Sequence, residues 1–471
     1  MTTSSPPFTA VVTTGIYCRD SCTARPLRRN TRPYAYAAAA EAAGFRPCLR
    51  CRPDREPEPG WVDAPELVCR ALRLIADGAL DGETEDGLAT RLGVSARHLR
   101  RLFGEYVGAT PSDVGRSRRA HFARRLLDDT DLPMTRIATA AGFQSVRHMN
   151  RVMKQVFRST PQELRARRRD PQRLVADGGL TLRLPYRPPL AWDALLEFLA
   201  PRAIPGVERV DLEESVYRRT IMLEDAPGVI EVCASDAAAD ALLLRAHVSD
   251  CNGLVHLVTQ VRRMFDLDTD PDVVDTHLAR DARFRPLVRR RRGVRVPGSA
   301  DPAEIAIRAI LGQQVTVAHA TRLAGRLVER HGRPVPGLER LGLTHVFPTR
   351  EALAAAALDD VGVTGARAGA IRAFAASDIP LDGSLGLDPL VSELRHLPGV
   401  GEWTAQYVAM RAAGERDAFP ASDLGLRHAL GGTTKDVLAA AEPLRPWRAY
   451  AAMHLWTALS DASPAHSRQT A

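Results

Sequence analysis

Four of the seven cysteines lie near the start of the chain, in two close pairs. Three residues separate Cys18 from Cys22, and two residues separate Cys48 from Cys51. Two such pairs can supply four thiolates to a tetrahedral ion, which is how proteins hold structural zinc. The spacing therefore predicts one bound Zn²⁺ with these four ligands. Spacing alone favours a purely structural zinc clip, although a zinc-bound thiolate can also be a nucleophile.

A single carboxylate near the C-terminal end is the second candidate for chemistry. Asp423 follows the run Phe-Pro-Ala-Ser at residues 419–422. It could activate a water molecule or stabilise positive charge that develops on a substrate. Taken alone, an aspartate in such a place is more often the N-cap of a helix. The surrounding motif must therefore decide between these two roles.

A glycine-containing turn precedes this aspartate. Residues 394–405 are Leu-Arg-His-Leu-Pro-Gly-Val-Gly-Glu-Trp-Thr-Ala, which predicts a helix, a tight hairpin at Gly399 and Gly401, and a second helix. Backbone N–H groups at the start of a helix can approach a DNA phosphate at such a turn. Trp403 and Tyr407 lie four residues apart, so they share one face of the second helix. Aromatic residues in that position bind a flat ligand or form part of the core.

Composition sets broad limits on the protein. The chain has 471 residues, 45% of them apolar, which predicts two to four globular domains. The net charge of +8 suits a polyanionic partner. A genome bias towards arginine is the alternative, because lysine occurs only at positions 154 and 435. The first ten residues lack an apolar core, and no apolar run reaches about 18 residues, so neither a signal peptide nor a membrane span is expected.

A helical repeat follows the cysteines. Residues 88–95, Leu-Ala-Thr-Arg-Leu-Gly-Val-Ser, are similar to residues 137–145, and Thr-Pro follows each copy, at 110–111 and 160–161. Each copy predicts a helix, a turn that needs glycine, and a second helix, which is the helix-turn-helix arrangement. The second helices are expected to start near Ser95 and Ser145. Their outward candidates for DNA contact are Arg97, His98, Arg100, Arg101, Arg147, His148 and Arg151, whereas Leu99, Leu102 and Phe103 are expected in the core. Contact with a base edge and contact with a phosphate are equally compatible with arginine.

The remaining chain divides into strands and then helices. Alternation at residues 181–184 and the β-branched run at 229–232 predict strands between about 180 and 246. From Asp301 onward the pattern is helical. The charged stretches 54–60 and 165–171 are interpreted as solvated linkers.

The cysteine region resembles a known family. The runs Thr-Thr-Gly-Ile-Tyr-Cys-Arg at 13–19 and Gly-Phe-Arg-Pro-Cys-Leu-Arg-Cys-Arg-Pro at 44–53 resemble the methyl-accepting domain of Ada-type adaptive-response regulators. That resemblance implies that Cys18 is both a zinc ligand and the nucleophile that takes a methyl group from a DNA methylphosphotriester. It also implies that Arg25 contacts a phosphate. Methylation would reduce the charge of the zinc–thiolate group from about −2 to about −1, and affinity for DNA would rise.

Residues 64–167 resemble the DNA-binding domain of AraC-type transcription factors. The resemblance implies that the two second helices of the repeat enter the major groove of promoter DNA. It also makes RNA polymerase an expected partner.

Residues from about 180 to 460 resemble the AlkA branch of the helix-hairpin-helix DNA glycosylases. The match includes Ile-Arg-Ala-Ile-Leu-Gly-Gln-Gln at 307–314, the hairpin and the Asp423 motif. Further matches are Pro-Trp-Arg-Ala-Tyr at 446–450, His-Leu-Trp at 454–456, Arg-Met-Phe-Asp-Leu at 263–267 and Leu-Ala-Trp at 190–192. The resemblance implies a catalytic Asp423 and a DNA contact at Gln314. It implies an aromatic pocket that holds a flipped, cationic base, formed by Trp403, Tyr407 and Trp456.

Two absences define the expected reaction. Bifunctional members of this superfamily carry a Schiff-base lysine in the hairpin, where this chain has Trp403, so no lyase activity is expected. No cysteine follows Cys251, so the iron–sulfur cluster of the endonuclease branch is not expected. The Pro-Cys-His-Arg motif of the O6-methylguanine transferases is also absent, and that activity is not predicted.

The expected fold is multidomain and mainly α. It comprises a small four-cysteine zinc α/β domain (1–58), an AraC-type double helix-turn-helix (64–168), an AlkA-like α+β domain (179–296) and an all-α helix-hairpin-helix domain (297–465). The expected protein is cytoplasmic, nucleoid-associated and monomeric, with alkylated and promoter double-stranded DNA as partners. It accepts methyl groups, activates transcription and excises 3-methyladenine and 7-methylguanine. The alternative is a regulator whose inactive glycosylase half only binds DNA.

Overall fold

The protein is described here by a computed structural model that covers residues 6–20, 22–24, 26–55, 64–167, 175–176, 179–234 and 240–461. The chain forms two compact units. The first contains residues up to 186 together with 223–226 and 247–259, and the second contains the rest. Arg25 lies outside the described residues. Among the residues described, no helix combines the length and apolar character that crossing a membrane requires.

The first unit begins with a small sheet and one helix. These are β1 (Phe8–Val11), β2 (Ile16–Arg19), β3 (Thr31–Tyr34), α1 (Ala37–Ala42) and β4 (Arg46–Pro47). The strand order is β3-β1-β2-β4, with β2 and β4 parallel. Alternate residues of β1 point into a core that also contains Tyr17 and Phe45. The parallel pairing places the residues at the ends of β2 and β4 side by side.

Eight helices that include the helical repeat follow in the first unit. They are α2 (Glu66–Ala76), α3 (Ala79–Gly82), α4 (Glu85–Arg91), α5 (Ala96–Tyr106), α6 (Pro111–Asp129), α7 (Met134–Ala140), α8 (Val146–Phe157) and α9 (Pro161–Ala166). Gly93 and Gly142 have φ of +70° and +75°, a conformation that favours glycine in each turn. Thr110 and Thr160 form capping boxes, each followed by proline at the first helical position. The predicted helix-turn-helix repeat is therefore confirmed.

The predicted linker that follows Cys51 is folded at its first two residues, whereas residues 56–60 and 168–171 of the two predicted linkers lie outside the described residues. Asp54 is only 1% exposed and accepts from Arg52 at 2.6 Å. Arg52 also pairs with Asp128 on α6 at 2.5 Å, and Arg55 reaches the same carboxylate at 3.2 Å. The carboxylate that fixes this segment lies more than 70 residues away in the sequence, so the local run of charge resembled a solvated linker. Arg165 likewise belongs to α9 and donates to the carbonyl of Leu132.

The rest of the chain contains strands followed by helices. The strands are β5 (Val175–Ala176), β6 (Gly179–Pro185), β7 (Glu208–Asp211), β8 (Val216–Leu223), β9 (Ala226–Ala234), β10 (Ala241–His247), β11 (Arg333–Pro334) and β12 (His345–Val346). The helices up to the hairpin are α10 (Trp192–Leu199), α11 (Leu254–Met264), α12 (Pro271–Leu278), α13 (Arg285–Arg290), α14 (Pro302–Leu311), α15 (Val317–His331), α16 (Arg350–Ala354), α17 (Gly365–Ala375) and α18 (Leu387–His396). The remaining helices are α19 (Glu402–Arg411), α20 (Leu424–Leu430), α21 (Thr434–Ala441) and α22 (Arg448–Asp461). Strands β7 to β10 are neighbours in the order β10-β9-β8-β7, which confirms the predicted strand region.

We expect His454 on α22 to make the stability of the second unit sensitive to acid. Its side chain is buried, and its Nε2 has no hydrogen-bond partner among the described residues. Burial, with a smaller contribution from Arg291, lowers the pKa of His454 to about 4. The unfolded chain therefore takes up this proton first, as the pH falls below about 6.5. We expect its full contribution to stability above pH 6.5 and a loss of about 2–3 kcal/mol by pH 4.5.

The measurement is the free energy of unfolding in urea at pH 7.5 and pH 4.5. His454→Leu should lose about 2–3 kcal/mol less than the wild type between these two values. The exposed His428 offers the matched control, because His428→Leu should keep the wild-type pH dependence. An equal pH dependence in the wild type and His454→Leu would show that this histidine is not the acid-sensitive group.

Candidate functional site

The four predicted cysteine ligands lie together. The Sγ atoms of Cys18, Cys22, Cys48 and Cys51 are all within 4.8 Å of one another. Cys18 belongs to β2 and Cys48 follows the parallel strand β4, where its N–H donates to the carbonyl of Tyr17 at 2.9 Å. Cys22 and Cys51, the second members of the two pairs, supply the other two sulfurs. They reach the site because the loop after each strand turns back towards the end of that strand. The local pairing of the two strands thus builds the site.

The donor set fits a zinc ion. A Zn–S distance of about 2.3 Å places the sulfurs of a tetrahedron about 3.8 Å apart, which is compatible with four sulfurs that all lie within 4.8 Å of one another. The hydrogen bond with Cys51 and burial raise the pKa of Cys18, whereas the hydrogen bond from Cys18 lowers the pKa of Cys51 to about 5. Thiols this close cannot all ionise unless a cation offsets their repulsion. Four thiolates around a divalent ion are typical of Zn²⁺.

Metal analysis provides a direct test of these ligands. We expect one Zn²⁺ per chain, and we expect Cys48→Ala and Cys51→Ala to lose it and to unfold the small sheet, since the metal contributes folding energy. Cys251→Ala is the matched control, because Cys251 lies outside the cluster and should not affect the metal content. A metal-free protein whose N-terminal sheet stays folded would contradict the zinc site.

The helices α5 and α8 begin where the sequence predicts. Ser95 accepts from the N–H of His98 at 3.2 Å, and Ser145 accepts from that of His148 at 3.1 Å, so both serines are N-caps. The three predicted core residues Leu99, Leu102 and Phe103 are buried. The candidates for DNA contact are exposed, except for the half-buried His148.

Arg100 differs from the other candidates because its partner is a buried carboxylate, whereas Arg101 pairs with the exposed Glu105 at 3.2 Å. The guanidinium of Arg100 is paired with Glu85, which also accepts from the N–H of Ser112 at 3.0 Å. Glu85 is buried, and this pair joins α4 to α5. Arg97 and Arg147 form no ion pair among the described residues. Base contact by Arg97, Arg100 and Arg147 stays a prediction, with Arg100 already partly occupied in the free protein.

Asp423 occupies the N-cap of α20 and also faces a cavity. Its Oδ1 accepts from the N–H groups of Gly425 at 3.0 Å and Leu426 at 3.1 Å, so Asp423 does cap the helix. The same oxygen accepts from the indole of Trp456 at 3.0 Å, and Oδ2 accepts from the indole of Trp403 at 3.0 Å. Two indoles from different helices would not be needed for a cap. The carboxylate is therefore fixed in orientation at the edge of the aromatic cluster.

The three predicted aromatic residues line one cavity of about 330 Å³ with Asp423. Trp403 and Tyr407 stack with centroids 5.2 Å apart and planes at 14°, and Tyr407 lies 6.2 Å from Trp456. The cavity is in the size range of sites for a single small ligand. Leu424, beside the aspartate, is 74% exposed and does not line it.

Among the other lining residues are one aromatic and three charged side chains that the sequence does not predict as part of the site. They are Phe198, Arg202, Arg308 and Arg411. Arg411 lies four residues after Tyr407 on α19, so helical spacing could have found it. Phe198 and Arg202 come from α10 and the turn after it, about 200 residues before the hairpin, and no local signal connects them with Asp423.

The hairpin adjoins the loop of Gln313 and Gln314. Gly399 has φ of +77°, and a Cβ there would lie 3.1 Å from that of Ala370. The amide of Gln313 donates to the carbonyl of Gly399 at 2.9 Å and to the hydroxyl of Thr404 at 3.0 Å. Gln314 is exposed and has φ of +54°, and it follows the residue whose hydrogen bonds hold this loop to the hairpin. The space that a Cβ at Gly401 would occupy is open. DNA contact by Gly399, Gly401 and Gln314 remains a prediction.

Three family models match the chain. The metal binding domain of Ada matches residues 5–54, a helix-turn-helix domain matches 88–167, and the AlkA N-terminal domain matches 181–301. They cover the predicted zinc, helix-turn-helix and α+β parts in the predicted order. The predicted multidomain, mainly helical fold is confirmed.

Curated relatives match the parts of the chain that these three models leave uncovered. The probable bifunctional transcriptional activator/DNA repair enzyme AlkA of Mycobacterium tuberculosis is 41% identical over 464 residues, which are 96% of this chain and 92% of that protein. DNA-3-methyladenine glycosylase 2 of Escherichia coli is 33% identical over 58% of this chain and 95% of its own length. The bifunctional transcriptional activator/DNA repair enzyme Ada of Escherichia coli is 39% identical over 28% of this chain and 36% of its own length.

A solved structure shares the fold of more than half of the chain. The 3-methyladenine DNA-glycosylase from Archaeoglobus fulgidus superposes with a TM-score of 0.52 at 21% identity, over 60% of this chain and 99% of that one. Together with the zinc cluster, the helix-turn-helix repeat and the Asp423 cavity, the near full-length match settles the classification. The chain belongs to the family of bifunctional AlkA proteins, which join an Ada-type metal-binding domain and a helix-turn-helix domain to an AlkA-type glycosylase.

Proposed function

We propose that the Asp423 cavity excises N-alkylated purines such as 3-methyladenine and 7-methylguanine from double-stranded DNA. The observation that carries the proposal is a carboxylate held by two indole N–H groups beside stacked aromatic rings. An alkylated purine is a cation with a weakened glycosidic bond, so little chemistry remains once the nucleotide is flipped. The names of two relatives support the proposal, since one is a probable DNA repair enzyme AlkA and the other is a DNA-3-methyladenine glycosylase.

The hydrogen bonds of Asp423 favour charge stabilisation over proton abstraction. A carboxylate has about four lone-pair sites, and four N–H groups approach those of Asp423. Three of the four share Oδ1, so a water molecule could reach only the one remaining site on Oδ2. We infer that the carboxylate stabilises the positive charge that develops on the sugar as the C–N bond breaks. Water then attacks that carbon, and the free base leaves.

The product should be an intact abasic site. Of the two lysines, Lys154 lies on α8 and Lys435 on α21, and neither lines the cavity. Without an amine at the reacting carbon, no Schiff base forms and no strand is cut.

We further propose that Cys18 accepts a methyl group from DNA methylphosphotriesters. The thiolate sulfur attacks the methyl carbon, an S–C bond forms, the O–C bond breaks, and the electron pair stays on the phosphate. A bound zinc ion keeps the thiol deprotonated at neutral pH. Each chain reacts once, because the thioether product is stable. The likeness to the Ada metal-binding domain supports this step.

The helix-turn-helix repeat then links the methyl signal to transcription. Loss of one negative charge at the sulfur cluster lowers repulsion from DNA phosphates, and the exposed arginines of α5 and α8 bind promoter DNA. We propose a monomeric cytoplasmic activator that recruits RNA polymerase. The alternative is a regulator whose glycosylase half only binds DNA. The intact Asp423 geometry argues against that alternative.

Base release decides between these alternatives. The wild-type protein is incubated with methylated duplex DNA, released bases are separated by chromatography, and the DNA is analysed on a gel before and after alkali. We expect free 3-methyladenine or 7-methylguanine, and strand breaks only after alkali. Absence of base release would favour the regulator, and breaks before alkali would contradict the monofunctional reaction.

A further inference from the structure

The Asp423 cavity has a second polar end, around the hydroxyl of Tyr407. Arg411 donates from Nη1 to this hydroxyl at 2.8 Å, and Arg202 lines the same cavity. A phenolic oxygen can accept such a bond while it donates its own hydrogen. With the guanidinium of Arg411 on its acceptor side, the hydroxyl of Tyr407 can act as a donor to whatever enters the cavity.

The two arginines at this end carry charge that no described carboxylate neutralises. Arg411 is held by the carbonyls of Pro297 at 2.7 Å and Gly298 at 3.2 Å, and Arg202 donates to the carbonyl of Phe198 at 2.8 Å. These acceptors are all neutral. The third lining arginine, by contrast, has two carboxylate partners: Arg308 contacts Glu208 and Glu304, each at 2.9 Å.

Two arginine side chains of the protein already lie over aromatic rings of the cavity. The guanidinium of Arg202 lies 3.9 Å from the ring centroid of Phe198, and that of Arg411 lies 5.6 Å from the centroid of Tyr407. These rings therefore already have cation–π partners. Among the described residues that line the cavity, Asp423 is the only carboxylate, and it already accepts four N–H groups. The Tyr407 end consequently offers donors and positive charge, and few acceptors.

We propose that Tyr407 and Arg202 select, among flipped purines, those with a carbonyl oxygen at position 6 over those with an amino group there. 7-Methylguanine and hypoxanthine belong to the favoured class, and 3-methyladenine to the disfavoured one. The inference rests on the proposed base excision and names its preferred substrate. A carbonyl oxygen accepts from the Tyr407 hydroxyl or from a guanidinium, whereas an amino group would leave buried donors facing a donor.

The test compares two bases that leave the same DNA. Duplex DNA methylated with a labelled methyl donor contains both 7-methylguanine and 3-methyladenine, and both are cations, so charge does not distinguish them. They also differ at position 2 and in the site of methylation, and each variant is therefore compared with the wild type on the same pair of bases. Release of each is measured under single-turnover conditions and divided by its spontaneous rate. We expect the ratio of the 7-methylguanine rate to the 3-methyladenine rate to fall about tenfold or more in Arg202→Met and in Tyr407→Phe. Methionine keeps the length of the side chain without its donors, and phenylalanine keeps the ring that stacks on Trp403.

Thermal unfolding shows whether each variant is folded, and release of 3-methyladenine should rise where a competing donor has been removed. Arg340→Met is the matched control: Arg340 is exposed in the same unit, so its loss should leave the ratio unchanged. A duplex with a single hypoxanthine tests the neutral case and should follow 7-methylguanine. Equal losses for both bases in Arg202→Met would overturn the inference and leave excision intact. Release of neither base by the wild type would contradict excision and the inference together.

Discussion

Replacing Asp423 with asparagine is expected to lower the rate of alkylated-base release by about 10²–10³-fold or more, because it removes the charge that stabilises the cationic sugar. The side chain volume hardly changes. The amide oxygen can take the place of Oδ1, which accepts from Gly425, Leu426 and Trp456. The cap of α20 is thereby kept, since asparagine caps helices as well as aspartate does. Only the contact with Trp403 is lost, because its indole N–H would face the amide NH₂ group.

The measurement is single-turnover release of labelled base, with DNA affinity and thermal unfolding measured on the same samples. Affinity should stay close to wild type, since the hairpin N–H groups and the arginines remain. Asp301→Asn is the matched control, because Asp301 is also an N-cap aspartate in the second unit but lies outside the cavity. Unimpaired release by Asp423→Asn would remove this carboxylate from the mechanism.

Replacing Cys18 with histidine is expected to separate the two roles of that cysteine. Histidine is a good zinc ligand, so the metal should stay bound, but no thiolate remains to accept a methyl group. A neutral ligand also leaves the zinc group with about one negative charge fewer, as methylation does. We therefore expect promoter affinity about tenfold above that of the unmethylated wild type, with no further rise on exposure to methylphosphotriester DNA.

Promoter affinity is measured by titration at fixed salt, with zinc content and a transcription reporter measured alongside. Cys18→Ala should neither gain affinity through methylation nor activate transcription after treatment with a methylating agent. Cys251→Ala should respond as the wild type does. If Cys18→Ala activates transcription as well as the wild type, the sensor assignment is wrong.

Local sequence patterns account for the parts of the site that were predicted. The cysteine spacing, the N-cap serines Ser95 and Ser145, and the stack of Trp403 on Tyr407 each depend on residues close in sequence. A hydrogen bond or a shared helix face between near neighbours follows from backbone geometry alone. Patterns of this kind therefore carry over directly into three dimensions.

Features that depend on distant partners were not predictable in this way. Arg52 and Arg55 pair with Asp128 of α6, and the sequence around them contains no sign of that carboxylate. Nothing in the sequence near Arg100 indicates that it forms an ion pair with Glu85 on the preceding helix. Arg202 joins the cavity only through the packing of α10 in the second unit. In each case the deciding contact is between side chains whose separation in sequence carries no periodic signal.

One incubation tests the central claim, that a single chain carries both a methyl acceptor and a base-excising site. Duplex DNA carrying labelled methyl groups, including phosphotriesters, is mixed with the protein, and the label is measured in free bases and in the peptide that contains Cys18. The account predicts up to one methyl per chain on Cys18 and multiple free bases per chain. It also predicts that Asp423→Asn loses only the free bases and Cys18→Ala only the peptide label. Label confined to the peptide in the wild type, or free bases undiminished in Asp423→Asn, would contradict it.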